Sequence, residues 1–486
     1  MDRLQSHNDA QKIVSTEERD QHPRAGPLLD EHGCERYIKS ILNVPADDVD
    51  DDTYWGPIIR ISKSTVFELV KSRIDPASTI PESECKFEGI EQGAWNRAFL
   101  VRIGSEKFIL RVPSLGVRGV WNRHEALQLR SSALSMGWIK NSTRIPVLEI
   151  LTYDVTHENE IGHPFTLMRH VSGRQICDVW DDDDGSDAEL EAKRLKILES
   201  VAETAAQLQT ISFAHSGMLH FDDESTTRPR VGLTYRLRED GVKGDGRLVH
   251  GTSLADPIAS FHEKKKLCIR LETWWNLQTG DGYDLPEDPD ALGLLKGQHE
   301  ILRLLVDCLP FARTQEGPAV QETFVLAHPD FGWQKITVDD EGNVTGVIDW
   351  DCTRAVSRFL GYAALPLWLG KGYMACLVPS GRVWSSPERF QCYRAFYASA
   401  MAKAMHGKGD CAYMHKSVLF LALGDALRYP CLTLRILKKI VLLVLPGTDV
   451  MSFLKRIGTD GLLDQDKILF QELFRCAPGA DPRFPI

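Results

Sequence analysis

The sequence predicts an α+β chain of two lobes: a small β-rich N-lobe over residues 55–172 and a large helical C-lobe over 173–486, behind a polar, acidic N-terminal extension at 1–54. Three observations predict it. Short runs of β-branched and aromatic residues bounded by turn-formers crowd the first lobe, and helical periodicity dominates after about Lys193. One β-hairpin, within 324–351, then interrupts the helices and carries acidic side chains at its ends.

The extension ends in the acidic run Asp47, Asp48, Asp50, Asp51, Asp52, and holds one short helical pattern near Tyr37 to Leu42. Segments 85–92, 97–103 and 107–112 read as antiparallel strands, separated by turns at Gly93 and at Gly104-Ser105. A helix follows from Asn122 to Met136, then strands at Pro146 to Ile150 and Phe165 to Met168 before the turn Ser172-Gly173. The acidic cluster Asp181 to Asp184 reads as a solvated loop rather than a metal site, and residues 212–258 as a disordered stretch, the simpler reading beside a substrate lid. Helical patterns cover Lys193 to Ile211, Ala259 to Leu277, Leu292 to Leu309, Pro387 to His406, Tyr413 to Ala426 and Leu432 to Leu443.

Composition narrows the function. Of 486 residues 43% are hydrophobic and 26% charged, enough apolar side chains for a large core. A formal charge of −11 repels a phosphate backbone, so no nucleic-acid partner is expected. The apolar run Ile440 to Leu445 is far shorter than the roughly 20 residues a membrane helix needs, so no membrane is expected either. The 11 cysteines lie singly with no C-x-x-C pair, and the polar start has no apolar leader. A reducing, cytoplasmic location is the expectation; the oligomeric state does not follow from these residues.

The densest polar chemistry flanks the hairpin. His328-Pro329-Asp330 precedes its first strand and Asp349-Trp350-Asp351 closes the second, so the hairpin brings Asp330 and Asp349 to the same end of the ribbon. Two converging carboxylates can orient a hydroxyl and hold Mg²⁺ beside a nucleotide's phosphates; they can equally cap turns.

The run FVLAHPDFGWQKITVDDEGNVTGVIDWDCTRAVSRFLGYAALPLWL (324–369) resembles the aminoglycoside phosphotransferase and choline kinase-like phosphotransferase family, its fungal branch above all. Supporting matches are GIEQGAWNRAFLV (89–101), FILRVP (108–113), HEALQL (124–129) and FTLMRHVSGR (165–174). The resemblance covers roughly residues 80–430 and implies a protein-kinase-like fold that transfers the γ-phosphoryl group of ATP, with Mg²⁺, to a small-molecule hydroxyl acceptor.

Residue by residue, the resemblance makes Asp330 the catalytic aspartate and Asp349 the metal-binding one. Arg111 stands where a phosphate-clamping lysine is usual and would pair with Glu125; an ordinary surface ion pair is the alternative. Gly93 and Asn96 fall in the loop over the phosphates, and Met168, Arg169 and His170 on the adenine side. His328 reads as a loop organiser rather than a proton carrier, and Asp351 as facing substrate or opening the next segment.

One departure matters. Lys335 occupies the position of the family's metal-binding asparagine; it offers no acceptor and adds a positive charge. Lys335 then points away, or replaces the missing metal charge, or marks a catalytically silent protein that binds nucleotide or a partner. Its direction separates these readings. Trp274, Trp275, Asp410, Tyr413 and Asp425 fall in the helical region where an acceptor pocket is expected, the acidic ones suited to a cationic amine or merely to solvent.

Overall fold

The computed structural model describes residues 55–475 except 94, 120, 182–185, 222–227, 233–234, 238–241, 245–246, 250–251, 255–262, 280–284, 311–322 and 371–386. The acidic extension with its short helix, and most of the 181–184 cluster, lie outside the described residues.

Helix α1 (Lys63–Ile74) precedes an antiparallel sheet of β1 (Cys85–Gln92), β2 (Asn96–Ile103), β3 (Glu106–Pro113), β4 (Ile150–Asp154) and β5 (Phe165–Arg169), in the order β1-β2-β3-β5-β4. Alternation sets the buried face: Phe99, Val101 and Ile103 of β2 meet Phe108, Leu110 and Val112 of β3, and α1 covers them with Val66, Leu69 and Val70. Burying each such side chain is worth about 1.5–3 kcal/mol. Gly104, at φ 61°, supplies the left-handed residue of the two-residue β2–β3 turn.

Helix α2 (Arg123–Ser142) runs past the expected Met136. The expected strand at Pro146 to Ile150 is displaced to Ile150–Asp154. Pro146 has no N–H to give a ladder, Val147 N–H turns back onto Ile145 O, and Val147 keeps a single bridge to Val347.

Beyond β6 (Arg174–Gln175) and the short α3 (Ile176–Val179), α4 (Asp187–Ala206) opens with a reciprocal capping box of Ser186 and Glu189. The stretch read as disordered contributes β7 (Ser212–Phe213), β8 (Gly217–His220) and β9 (Arg230–Gly232) to a sheet, and two small pairs, β10 (Tyr235–Leu237) with β13 (Thr252–Leu254) and β11 (Val242–Gly244) with β12 (Arg247–Val249). Short polar strands of two to four residues carry too little periodicity to stand out in the sequence.

Helices α5 (Glu263–Thr279) and α6 (Pro289–Cys308) lead to β14 (Phe324–Ala327), β15 (Ile336–Val338), β16 (Val344–Val347) and β17 (Arg354–Ser357). These form two sheets, β7-β14-β17-β8-β9 and β16-β15-β6. Because β14 and β17 pair antiparallel with Ala327 opposite Arg354, the segments 328–335 and 348–353 leave from one end of the ribbon. The remaining helices are α7 (Pro387–Ala404), α8 (Ser417–Arg428), α9 (Pro430–Val444), α10 (Val450–Asp460) and α11 (Asp464–Phe474); the last two carry no expectation above. α6 and α10 cross at backbone contact: a Cβ on Gly297 would lie 1.8 Å from Leu454 O, so only glycine fits.

Candidate active site

β14 ends in a tight turn. Gly332 N–H donates to Asp330 O at 2.8 Å, Lys335 N–H to Gly332 O at 2.9 Å, and Ile348 N–H to Lys335 O at 2.8 Å, which fastens the turn to the return strand. His328 holds it from inside. Its Nδ1 accepts from Asp330 N–H at 3.1 Å and its Nε2 faces Ile348 O at 2.9 Å, with the edge of Trp350 against the ring at 4.6 Å. Burial drives the imidazole down to about 4, so it is neutral, with Nε2–H donating and Nδ1 accepting. Both ring nitrogens are committed, and His328 positions Asp330 without carrying a proton.

Asp330 itself is exposed, and with Gly93, Asn96, Arg111, Glu125, Lys335, Asp349 and Asp351 it lines a cavity of about 560 Å³. Lys335 points into it. Its Nζ lies 2.5 Å from Asp349 Oδ2 and 3.9 Å from Asp330 Oδ2. Arg111 Nη2 reaches Asp349 Oδ1 at 3.3 Å and Asp351 Oδ2 at 2.7 Å. Burial raises Asp349, but Arg111 and Lys335 outweigh it and hold the carboxyl at about 2. Burial wins at Asp351; at Asp330, whose side chain opens on the cavity, desolvation by the packed surroundings still outweighs Lys335, and both carboxyls titrate above the usual aspartate value. Burial also opposes the charge on Arg111, yet the two aspartates keep it firmly protonated.

Both oxygens of Asp349 are thus engaged by cations of the chain, and among the described residues no three His, Cys, Asp or Glu side chains converge as a metal site. A divalent ion does not fit this donor set: Asp349 and Asp351 are already bonded to Arg111 and Lys335, whose positive charges the ion would meet, and Lys335 stands close to Asp330 as well. The backbone is left-handed here too, at Asp349 (φ 67°), which aspartate tolerates, and at Cys352 (φ 62°), where it costs on the order of 1–3 kcal/mol.

Other expectations fare differently. Arg111 pairs with the two aspartates instead of Glu125, which is buried in the first turn of α2, close to Cys352. Gly93 N–H donates to Asn96 O at 3.0 Å, closing the turn on itself. Met168 is buried, Arg169 pairs with Glu106 and Glu149, and His170 N–H donates to Lys107 O; these three lie outside the cavity lining, to which their strand contributes Thr166. Trp95, Gln128, Ser132 and Cys352 line it without having been singled out, and lone polar residues offered no signal. Asp351 had one, the two-residue spacing from Asp349.

A second, largely apolar cavity of about 210 Å³ lies behind the turn, and Pro329 lines both. Of the helical candidates, Asp425 of α8 faces it. Burial pushes that carboxyl up to about 6, against the pull of Arg428 and Arg270. Asp410 is spent in a two-pronged pair with Arg358, both bonds 2.9 Å. Trp274 is buried, its Nε1–H donating to Thr433 Oγ1 at 3.0 Å; Trp275 packs on His299 at 4.5 Å, and Tyr413 packs against the same apolar cluster.

Among the described residues no helix is long and apolar enough to cross a membrane. Two curated relatives bear the name altered inheritance of mitochondria protein 9, mitochondrial. The one from Lachancea thermotolerans is 26% identical over 280 residues, covering 56% of this chain and 42% of that protein. The one from Meyerozyma guilliermondii is 21% identical over 218 residues, 44% of this chain and 34% of that protein. The chain therefore spans well under half the length of the relatives it matches. Their names overturn the expected cytoplasmic location. The singly scattered cysteines on which that expectation rested do not identify a compartment.

Among solved structures, aminoglycoside phosphotransferase APH(4)-Ia is 14% identical with a TM-score of 0.39, covering 82% of this chain and 98% of that one. The choline kinase of Cryptosporidium parvum Iowa II is 12% identical with a TM-score of 0.40, covering 85% and 99%. The sequence profile of the phosphotransferase enzyme family matches residues 86–355, a span from β1 through the turn bearing Asp330 to the start of β17. More than half of the chain conforms to that profile, and the chain belongs to the phosphotransferase enzyme family.

Proposed function

We propose that this chain transfers the γ-phosphoryl group of ATP to a hydroxyl of a small molecule, with the phosphates in the cleft between β2–β3 and the turn after β14. The observation that carries the reading is the convergence of Asp330, Lys335, Arg111 and Asp349 on one cavity of about 560 Å³. The acceptor oxygen attacks the γ-phosphorus, the bond from that phosphorus to the bridging oxygen of ADP breaks, and the hydroxyl proton passes to Asp330. Asp330, raised by burial and by Asp349, is a better proton acceptor than an ordinary aspartate. Arg111 and Lys335 exchange their aspartates for phosphate oxygens and offset the charge that a metal ion offsets elsewhere. No step is assigned to Mg²⁺, because the donor set does not fit it. The roles of Asn96 and Glu125 as loop and clamp residues, and the lobe division 55–172 and 173–486, belong to this same proposal.

The double engagement of Asp349 favours a second reading, a catalytically silent nucleotide-binding protein. ADP formation with choline, amino alcohols, aminoglycosides and hydroxylated metabolites, alongside thermal shift with ATP in EDTA and in Mg²⁺, separates the two. Turnover that vanishes in Asp330→Asn is the expected result. A thermal shift without turnover leaves the silent reading, and neither signal sinks both. The relatives' names support a mitochondrial location for this chain as well, to be checked by fractionation of cells producing it.

A further inference from the structure

The second cavity has apolar walls that include Phe331, Phe359 and Phe420, and its charged lining is three guanidiniums, Arg270, Arg354 and Arg428, against the single carboxyl of Asp425. Arg270 and Arg428 both pull on Asp425, although burial still raises that carboxyl. Arg354 does not share in this. Its Nε is buried without a hydrogen-bond partner, and it forms no ion pair among the described residues. A buried charged donor left unsatisfied in a folded protein calls for an explanation, and a cavity beside it supplies one. Its position is suggestive: Arg354 stands opposite Ala327, the residue before His328, so it is anchored at the root of the turn that carries Asp330.

We propose that this cavity is the acceptor subsite and that it selects molecules with an apolar body and a carboxylate, Arg354 holding the carboxylate while the aromatic walls take the chain. The acceptor class is then a hydroxylated apolar acid, not the cationic amine that Asp410 and Asp425 pointed to from sequence. The chemistry agrees on three counts. Asp410 is occupied by Arg358, Asp425 stands under the pull of two arginines and is raised by burial toward its neutral form, and Arg354, whose Nε has no partner, has the planar shape that matches a carboxylate through parallel hydrogen bonds. Neutral His328 on the cavity wall adds no charge of either sign. The ligand's fate rests on the phosphotransferase reading; its binding does not.

Calorimetric titration of the full chain with octanoate, octylammonium and 1-octanol tests the proposal. Octanoate is expected to bind about tenfold or more tighter than either of the others, the difference a charged hydrogen bond makes. Arg354→Gln is expected to erase that preference and Arg354→Lys to retain part of it. Octylammonium binding as well as octanoate to the unmodified chain overturns the proposal, and so does a preference that survives Arg354→Gln. If Arg354→Gln does not fold, the three-ligand comparison on the unmodified chain, with Arg354→Lys, decides alone. Octanoate preference without ADP formation from ATP and hydroxylated octanoates removes the transferase reading and leaves the carboxylate site standing.

Discussion

The two cavities that share Pro329 as a wall handle charge in opposite ways. In the larger one Arg111 and Lys335 are already bonded to carboxylates of the chain; in the smaller one Arg354 has no bonded partner among the described residues. A ligand entering the first must displace internal ion pairs, so it needs charge of its own on the scale of a triphosphate. A ligand entering the second meets an uncompensated cation, and a single carboxylate suffices. Compensation therefore sets how much charge each site demands.

The largest expected effect tests the chemistry of the larger cavity. Asp330→Asn, which keeps shape and removes the proton acceptor, should lower turnover by about 10²–10⁴-fold while the ATP-induced thermal shift persists. An unchanged rate removes Asp330 from the reaction. Next comes stability, where the contrast between the cavities is direct. Arg111→Gln strands Asp351 and leaves Asp349 with Lys335 alone, and should cost about 3 kcal/mol in urea unfolding, whereas Arg354→Gln removes an unsatisfied donor and should change stability by less than about 0.5 kcal/mol. Equal costs would break the comparison.

Acid sharpens it further. Asp349 titrates lower folded, at about 2, than an ordinary aspartate at 3.8, so its contribution is fully present above pH 4 and is lost as the pH falls toward 2. The amount is about 2 kcal/mol, read as the difference between unfolding curves of the parent and Asp349→Asn across that window. A constant difference would mean that the pairing does not bias Asp349. The smallest effect concerns Gly424, a helical residue on the wall of the smaller cavity with open space where a Cβ would stand. Gly424→Ala should stabilise the chain by about 0.5–1 kcal/mol. A loss of stability would show that the cavity wall cannot accept even a methyl group.

Much of this was legible beforehand, for identifiable reasons. Strands β1 to β3 were readable because their bounding turns contain glycine and their side chains alternate, and the hairpin because Gly342 sits where its turn needs φ 84°. The meeting of Asp330 with Asp349 followed from antiparallel pairing alone. The direction of Lys335 did not, since a four-carbon stem reaches either way until Asp349 and Asp330 are placed around it. The partner of Arg111 was misjudged in favour of Glu125, because Asp351 lies 240 residues from it and no local rule joins them. The unpartnered state of Arg354 is likewise a property of three-dimensional surroundings, invisible in the string TRAVS.

The left-handed backbone at Asp349 carries a consequence for how the loop can change. At φ 67° only glycine, asparagine and aspartate sit without heavy steric cost. Glycine leaves Lys335 and Arg111 with nothing to face and asparagine leaves them a weak dipole, so of the three tolerated residues one alone keeps both cations docked. The shape of the main chain has thereby narrowed the choice of side chain before any ligand has had a say.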